Sequence, residues 1–148
     1  YAGVLFDGLN GCLFVSEETE KDDLAQMRTI FSEPAAMRPT GVVTFMDYWA
    51  FKLISEIRPL GLRIPGDVAV VGFNNTPWTA YAEVTLSSVS IEEHEIARLM
   101  VEKLTGDYRA GEKIAVEPRL IVRASSAPNS DLHANPVEQT SVMDELAT

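Results

Sequence analysis

Few side chains in this 148-residue sequence have the chemistry of a catalytic or metal-binding group, and their spacing narrows the choice. Asp7, in VLFDGLNGCLF (residues 4–14), ends an apolar run and precedes Gly8, the setting in which an aspartate attacks a phosphate ester. A phosphatase of that kind needs a second carboxylate two residues on as acid and base, a downstream lysine and an acidic pair for a metal. Position 9 is leucine, so the second carboxylate is missing. Cys12 is the only cysteine, which excludes an internal disulfide and a thiol cluster for zinc. His94 and His133 are the only imidazoles, and His94 lies among Glu92, Glu93 and Glu95 in a helical pattern that reads as an exposed face. Neither a P-loop nor a GxSxG elbow occurs. These residues point away from an enzyme, and no metal or cofactor is expected.

The remaining polar candidates stand at the ends of apolar runs. GVVTF (41–45) reads as a strand buried on both faces and leads directly into Met46 and Asp47. From Tyr48 to Leu60, the residues Trp49, Ala50, Leu53, Ile54 and Ile57 recur at spacings of three and four, one face of a helix. Asp47 stands where an N-cap belongs and Gly61 where a C′ glycine belongs, while Pro59 should break the last turn. After the turn signal RIPGD (63–67), VAVVGF (68–73) is a second buried-strand run. Strand, helix and strand within 33 residues predict a βαβ unit with parallel, neighbouring strands. In open parallel sheets, ligands bind at the carboxyl ends of the strands. The spacing therefore predicts that Phe45-Met46-Asp47 and Phe73-Asn74-Asn75 lie side by side.

Around this unit, CLFV (12–15) reads as a strand, Asp22 to Phe31 as a helix and Ser32 to Thr40 as a loop. Residues 76–89 read as irregular, and 92–104 as an amphipathic helix with the apolar stripe Ile96, Leu99, Met100 and Leu104 and acids in its first turn. Residues 106–113 read as a polar turn, 116–125 as a strand, and 129–148 as a tail without periodicity.

Bulk properties exclude other classes. A net charge of −10 argues against these residues gripping nucleic acid, which requires clustered Lys and Arg. Beyond Arg123 there is no Lys or Arg, while Asp131, Glu138, Asp144 and Glu145 contribute −4, a solvated acidic tail. No apolar run approaches the roughly 20 residues that span a bilayer. A soluble, cytoplasmic protein without membrane contact is the expectation.

The series GVVTFMDYWAFKLISEIRPLGLRIPGDVAVVGFNNTP, TLSSV, EEHEIARLMVEKL and EPRLIVRASSAP resembles the effector-binding domain of LacI/GalR-type transcriptional repressors, over about residues 41–128. The resemblance implies a periplasmic-binding-protein-like α/β fold with a Rossmann-like parallel sheet flanked by helices. It further implies a small-molecule effector, a sugar or related metabolite, in a cleft between two lobes, and a homodimer. DNA would be bound only through a helix-turn-helix absent from this chain, with the effector shifting the populations of two conformations. On this likeness residues 1–128 are the carboxyl-terminal part of the effector domain, mainly its second lobe. The helix at 92–104 would belong to the other lobe, and its apolar stripe would be covered by a further chain or by segments of a longer parent.

The family's effector positions carry over to Met46, Asp47, Asn74 and Ile91. Asp47 has two readings, helix cap or hydrogen-bond acceptor for a ligand. Where the family usually has aspartate, Asn74 supplies an amide that donates as well as accepts. Trp78 and Tyr81 follow, placed either to stack on a ligand or to pack. The same likeness makes residues 4–9 a helix carrying Val4, Leu5, Phe6 and Leu9 into packing, with Asp7 solvated and an effector arginine expected one position before Tyr1. Two alternatives remain: a transport-type sugar-binding protein, which shares the fold, and the phosphatase weighed above.

Overall fold

A computed structural model describes residues 2–7, 11–15, 20–106 and 113–127, with side chains from residue 21 onward. Six strands form one sheet: β1 (Ala2–Asp7), β2 (Gly11–Val15), β3 (Gly41–Thr44), β4 (Ala69–Phe73), β5 (Ser87–Ser90) and β6 (Arg119–Ile121), in the order β2-β1-β3-β4-β5-β6. The helices are α1 (Glu20–Ser32), α2 (Asp47–Ile57) and α3 (Glu93–Thr105). Pairing is parallel for β3-β4 and β4-β5 and antiparallel elsewhere. The expected parallel sheet is thus a three-strand centre inside a mixed sheet.

The βαβ unit forms as its pattern predicts. In α2, Trp49, Ala50, Leu53, Ile54 and Ile57 are all buried. Pro59 offers no N–H and its ring crowds the preceding turn, so the chain tightens into a 3-10 turn at Arg58–Leu60. Gly61 then ends it at φ 78°, a left-handed conformation open to glycine. Met27 and Phe31 of α1 join α2, Val42, Val68, Val70 and Leu86 in one apolar core.

Four expectations are corrected here. β3 is buried on one face only: Val42 and Thr44 point into the core while Val43 is 44% exposed. Both α1 and α2 pack on the same side, so the strand alternates. Residues 2–7 form a strand, not the start of a helix over 4–9, because the backbone of β1 has ladder partners on both sides, β2 and β3. The segment read as irregular contains a 3-10 helix (Pro77–Ala80) and β5. β5 is mostly serine, yet Ser87 and Ser88 are fully buried, with their hydroxyls hydrogen-bonded inside the fold. Finally, the strand expected over 116–125 is limited to β6. Pro118 cannot donate to a ladder, and after Ile121 the chain turns across the sheet.

That turn is held by named bonds. The Arg123 N–H donates to Ser87 Oγ at 2.7 Å, Val70 N to Ser125 O at 2.8 Å, and Ser125 N to Thr85 O at 3.0 Å. Ser125 Oγ, fully buried, accepts from Ser87 N and donates to Val70 O. The RAS stretch thereby clips β4 to the segment entering β5. The expected turn at 106–113 and tail at 129–148 lie outside the described residues, apart from Gly106 and Lys113.

The RIPGD turn closes on itself through Asp67, which accepts from Arg63 Nε at 2.9 Å and from the Arg63 backbone N–H at 2.8 Å. Those bonds favour the ionised carboxylate and hold its pKa well below the usual range. A depressed folded-state pKa contributes stability above the unfolded value near 3.9, lost as pH falls toward the folded one. An NMR titration of the Asp67 carboxyl carbon should find its midpoint below that of an ordinary aspartate, moving up in Arg63→Gln. An ordinary midpoint in the unsubstituted protein is the contrary result.

Candidate functional site

The carboxyl ends of β3, β4 and β5 lie along one edge because those strands run parallel and adjacent. Each is followed within two residues by a position expected to face an effector: Met46, Asn74 and Ile91. Met46 is 41% exposed, while Asn74 and Ile91 are half-buried. Trp78 lies farther along, in the 3-10 helix after β4, and is 74% exposed. Topology thus brings three of the five expected residues to one edge and leaves Trp78 on an adjoining surface.

Asp47, the fifth, is placed differently from both sequence readings. It is the first residue of α2, and the N-cap is Met46, which makes no side-chain capping bond. Its carboxylate is 1% exposed and is occupied by the protein. Oδ2 accepts from the Thr76 N–H at 2.7 Å and the Thr76 hydroxyl at 2.9 Å, and Oδ1 from the Ser88 hydroxyl at 2.5 Å. The cap reading is therefore corrected. An aspartate at a helix start favours the dipole, but here its lone pairs tie α2 to the loop after β4 and to β5.

The loop between these anchors is strained. Asn74 and Asn75 both lie at positive φ, 91° and 48°, a region that asparagine tolerates better than other side-chain-bearing residues. Every backbone N–H here has a partner: Asn74 N donates to Val89 O, Asn75 N to Ser88 Oγ, and Thr76 N to Asp47. These amides are consequently committed within the fold. The Asn74 amide presents both a donor and an acceptor, whereas Met46 and Ile91 present apolar surface.

Three residues of this network escape sequence reasoning, Thr76, Ser88 and Arg123, while Asn75 was expected at this edge without a stated role. The signal for Ser88 was a serine pair between apolar residues, Leu86 and Val89, and for Arg123 a cation inside the apolar series LIVRA. Arg123 donates to Leu86 O at 2.7 Å and to Asn75 Oδ1 at 2.9 Å. Burial pushes its guanidinium pKa down, and the negative charge of Asp47 opposes that shift.

A second surface lies on α3, where no residue is buried. Ile96, Leu99 and Met100 line an open groove of about 370 Å³ with Lys103, Ile114 and Val116, and Leu104 is 85% exposed. Among the described residues no group of His, Cys, Asp and Glu is arranged to hold a metal ion, and no helix is long and apolar enough to cross a membrane.

Residues 9–126 match the family model described as a periplasmic binding protein-like domain. Over 123 residues the chain is 28% identical to the arabinose metabolism transcriptional repressor of Halalkalibacterium halodurans, covering 77% of this chain and 32% of that protein. Among solved structures, a regulatory protein of the LacI family from Chloroflexus aggregans superposes with a TM-score of 0.63 at 30% identity, covering 76% of this chain and 41% of the other. A LacI family transcriptional regulator from Lactobacillus casei with bound glucose gives 0.59 at 25% identity, covering 77% and 44%. The chain spans about a third of the length of the curated relative it matches. These relatives are transcriptional repressors and regulators, not enzymes.

Proposed function

This chain belongs to the periplasmic binding protein-like domain family, as part of the effector-binding domain of a LacI-type regulator, and from that premise we propose that it binds a small-molecule effector at the edge formed by Met46, Asn74 and Ile91. One observation carries the reading: three adjacent parallel strands deliver these residues to one edge, with the loops after β3 and β4 joined through Asp47 and Thr76. A ligand at a strand-end edge of this kind is the general behaviour of open α/β sheets.

A sugar or related metabolite is the proposed class. The amide of Asn74 can donate and accept to a hydroxyl, and the matched regulators include one of arabinose metabolism and one with bound glucose. Asp47 acts by positioning the edge, and Trp78 supplies a flanking aromatic surface. The other wall of an interlobe cleft would come from the remainder of the effector domain. The uncovered apolar stripe of α3 is where these residues would join that lobe.

In the whole cytoplasmic regulator, acting as a homodimer, effector binding would shift the populations of two lobe arrangements and so alter operator affinity. It does so only to the extent that the ligand prefers one arrangement. DNA contact belongs to a helix-turn-helix outside these residues, whose net charge of −10 suits no phosphate backbone.

A thermal-shift screen of pentoses, hexoses and their acids, in a polypeptide with both lobes, tests this. A ligand at a hundred times its Kd should stabilise by about 2.7 kcal/mol. Asn74→Ala should lose most of that increment, read against the variant's own ligand-free melting temperature, which should itself fall because alanine is strained at φ 91°. A full ligand shift in the variant would remove Asn74 from the site, and no shift with any sugar would remove the sugar assignment.

A further inference from the structure

Arg123 is far from the effector edge in sequence and joins it in space. It sits in the clip that follows β6, 48 residues beyond Asn75, yet its guanidinium donates to the Asn75 side-chain oxygen at 2.9 Å and to the Leu86 carbonyl at 2.7 Å. Guanidinium has no acceptor, so a bond to Asn75 fixes which end of that amide faces Arg123. Among the described residues the other side-chain donor near the same oxygen is the Thr79 hydroxyl, at 3.4 Å, and it lies closer to the Thr76 carbonyl, at 2.7 Å. From the other side, the Asn75 N–H donates to Ser88 Oγ, whose own proton goes to Asp47.

Asn75 is thus gripped at both ends while its backbone stands in the left-handed region, next to a second left-handed residue, Asn74. Consecutive positive-φ residues persist only where their surroundings over-determine them. Asp47 and Ser88 supply that constraint from α2 and β5, and Arg123 supplies it from the returning carboxyl-terminal segment. Arg123 is half-buried, and a residue serving only to fill space at this point would need no charge and no donors aimed at Asn75 and Leu86.

We propose that Arg123 is a positioning residue for the effector edge, holding the Asn74-Asn75 turn in its left-handed conformation through the Asn75 side-chain oxygen. The aim of Asn74 toward a ligand rests on the function proposed above, but the hold on the turn does not. Loosening the turn should therefore spread the orientations of Asn74 without dissolving the sheet.

Amide hydrogen exchange on the full chain reads this directly. In Arg123→Gln, exchange at Asn74 and Asn75 should rise about tenfold through local opening, with Val42 and Val70 within about twofold of the unsubstituted protein. Arg123→Lys, with one compact ammonium in place of the fork, should fall between. Asn75→Ala removes the acceptor and leaves the Leu86 contact available, and because alanine is also strained at φ 48° its rise in exchange should be at least as large. If Arg123→Gln does not fold, Arg123→Lys carries the test. Adding Arg123→Gln to Asn75→Ala should add little at Asn74. Unchanged exchange at 74–75, or a uniform rise that includes Val70, would overturn the proposal and make Arg123 a general clamp.

A second arm uses glucose and arabinose as probes in a polypeptide with both lobes. If either stabilises the unsubstituted protein, Arg123→Gln should cut that shift at least by half; a full shift overturns the link from turn to ligand. If neither binds, the effector reading loses these sugars while the exchange result still decides the role of Arg123.

Discussion

Gly72→Ala should destabilise the fold by about 3 kcal/mol, although it adds a single methyl group. Gly72 is in β4 on the face that meets α2, and a Cβ there would lie 2.2 Å from Asp47 Oδ1, 3.0 Å from Leu86 Cδ2 and 3.2 Å from the Asp47 Cα. None of these neighbours gives way easily. The Asp47 carboxylate is fixed by Ser88 and Thr76, its Cα belongs to the first residue of α2, and Leu86 is fully buried. Accommodation requires α2 to rise off the sheet at its amino end or Asp47 to release Ser88. The first opens packing around Trp49 and Ala50, and the second orphans a buried hydroxyl. Urea denaturation followed by far-UV circular dichroism measures the difference. An unfolding free energy within about 0.5 kcal/mol of that of the unsubstituted protein would mean that the α2 start shifts freely, contrary to the close approach of Gly72 to Asp47.

The parts of the fold readable from sequence were those whose residues act through their own neighbours along the chain. Apolar spacing in α2, the β-branched runs of β3 and β4, and Pro59 before Gly61 each constrain local backbone, and together they dictated the βαβ unit. What escaped depended on partners distant in sequence. β5 reads as irregular until the Arg123 carbonyl and Asp47 are brought to its hydroxyls, and Ser125 Oγ to the Ser87 N–H, from 36 to 41 residues away. β1 is an apolar run whose state is decided by ladder partners on either side. Whether β3 is buried on both faces is set by where α1 and α2 dock, which Val43 alone does not reveal.

The site was legible to the same depth. The βαβ pattern was enough to place Met46 and Asn74 on one edge, because consecutive parallel strands share the direction of their ends, whereas Ile91 entered only through the family resemblance, since β5 was not expected as a strand. The chemistry along that edge was not. Asp47 has the residue type and position of a helix cap, and only the return of Thr76 and Ser88 to its oxygens distinguishes a cap from an anchor. Arg123 carries a charge in an apolar series, a mark of function or of a buried partner, but nothing in the sequence names Asn75 as that partner.

Substitutions at Asp47 separate the roles open to it by magnitude. An aspartate that only favours the helix dipole contributes about 0.3–1 kcal/mol, and a helix cap typically about 1 kcal/mol. The anchor described here predicts more. Asp47→Ala leaves the Thr76 N–H, the Thr76 hydroxyl and the fully buried Ser88 hydroxyl without their acceptor. Hydrogen bonds to a charged group contribute about 1.5–3 kcal/mol each, and the Thr76 hydroxyl can turn toward solvent, so a loss of about 4 kcal/mol is expected. Asp47→Asn keeps one oxygen and the side-chain volume but sets an NH2 group against donors, and should lose about 2 kcal/mol. The order is as informative as the size: alanine worse than asparagine, with Ser88→Ala recovering part of the loss in the alanine background because its hydroxyl is no longer orphaned. A loss near 1 kcal/mol for alanine, equal to that for asparagine, would restore the cap reading. A loss confined to ligand-dependent stabilisation, with the ligand-free protein unaffected, would instead make the Asp47 carboxylate an effector contact in its own right.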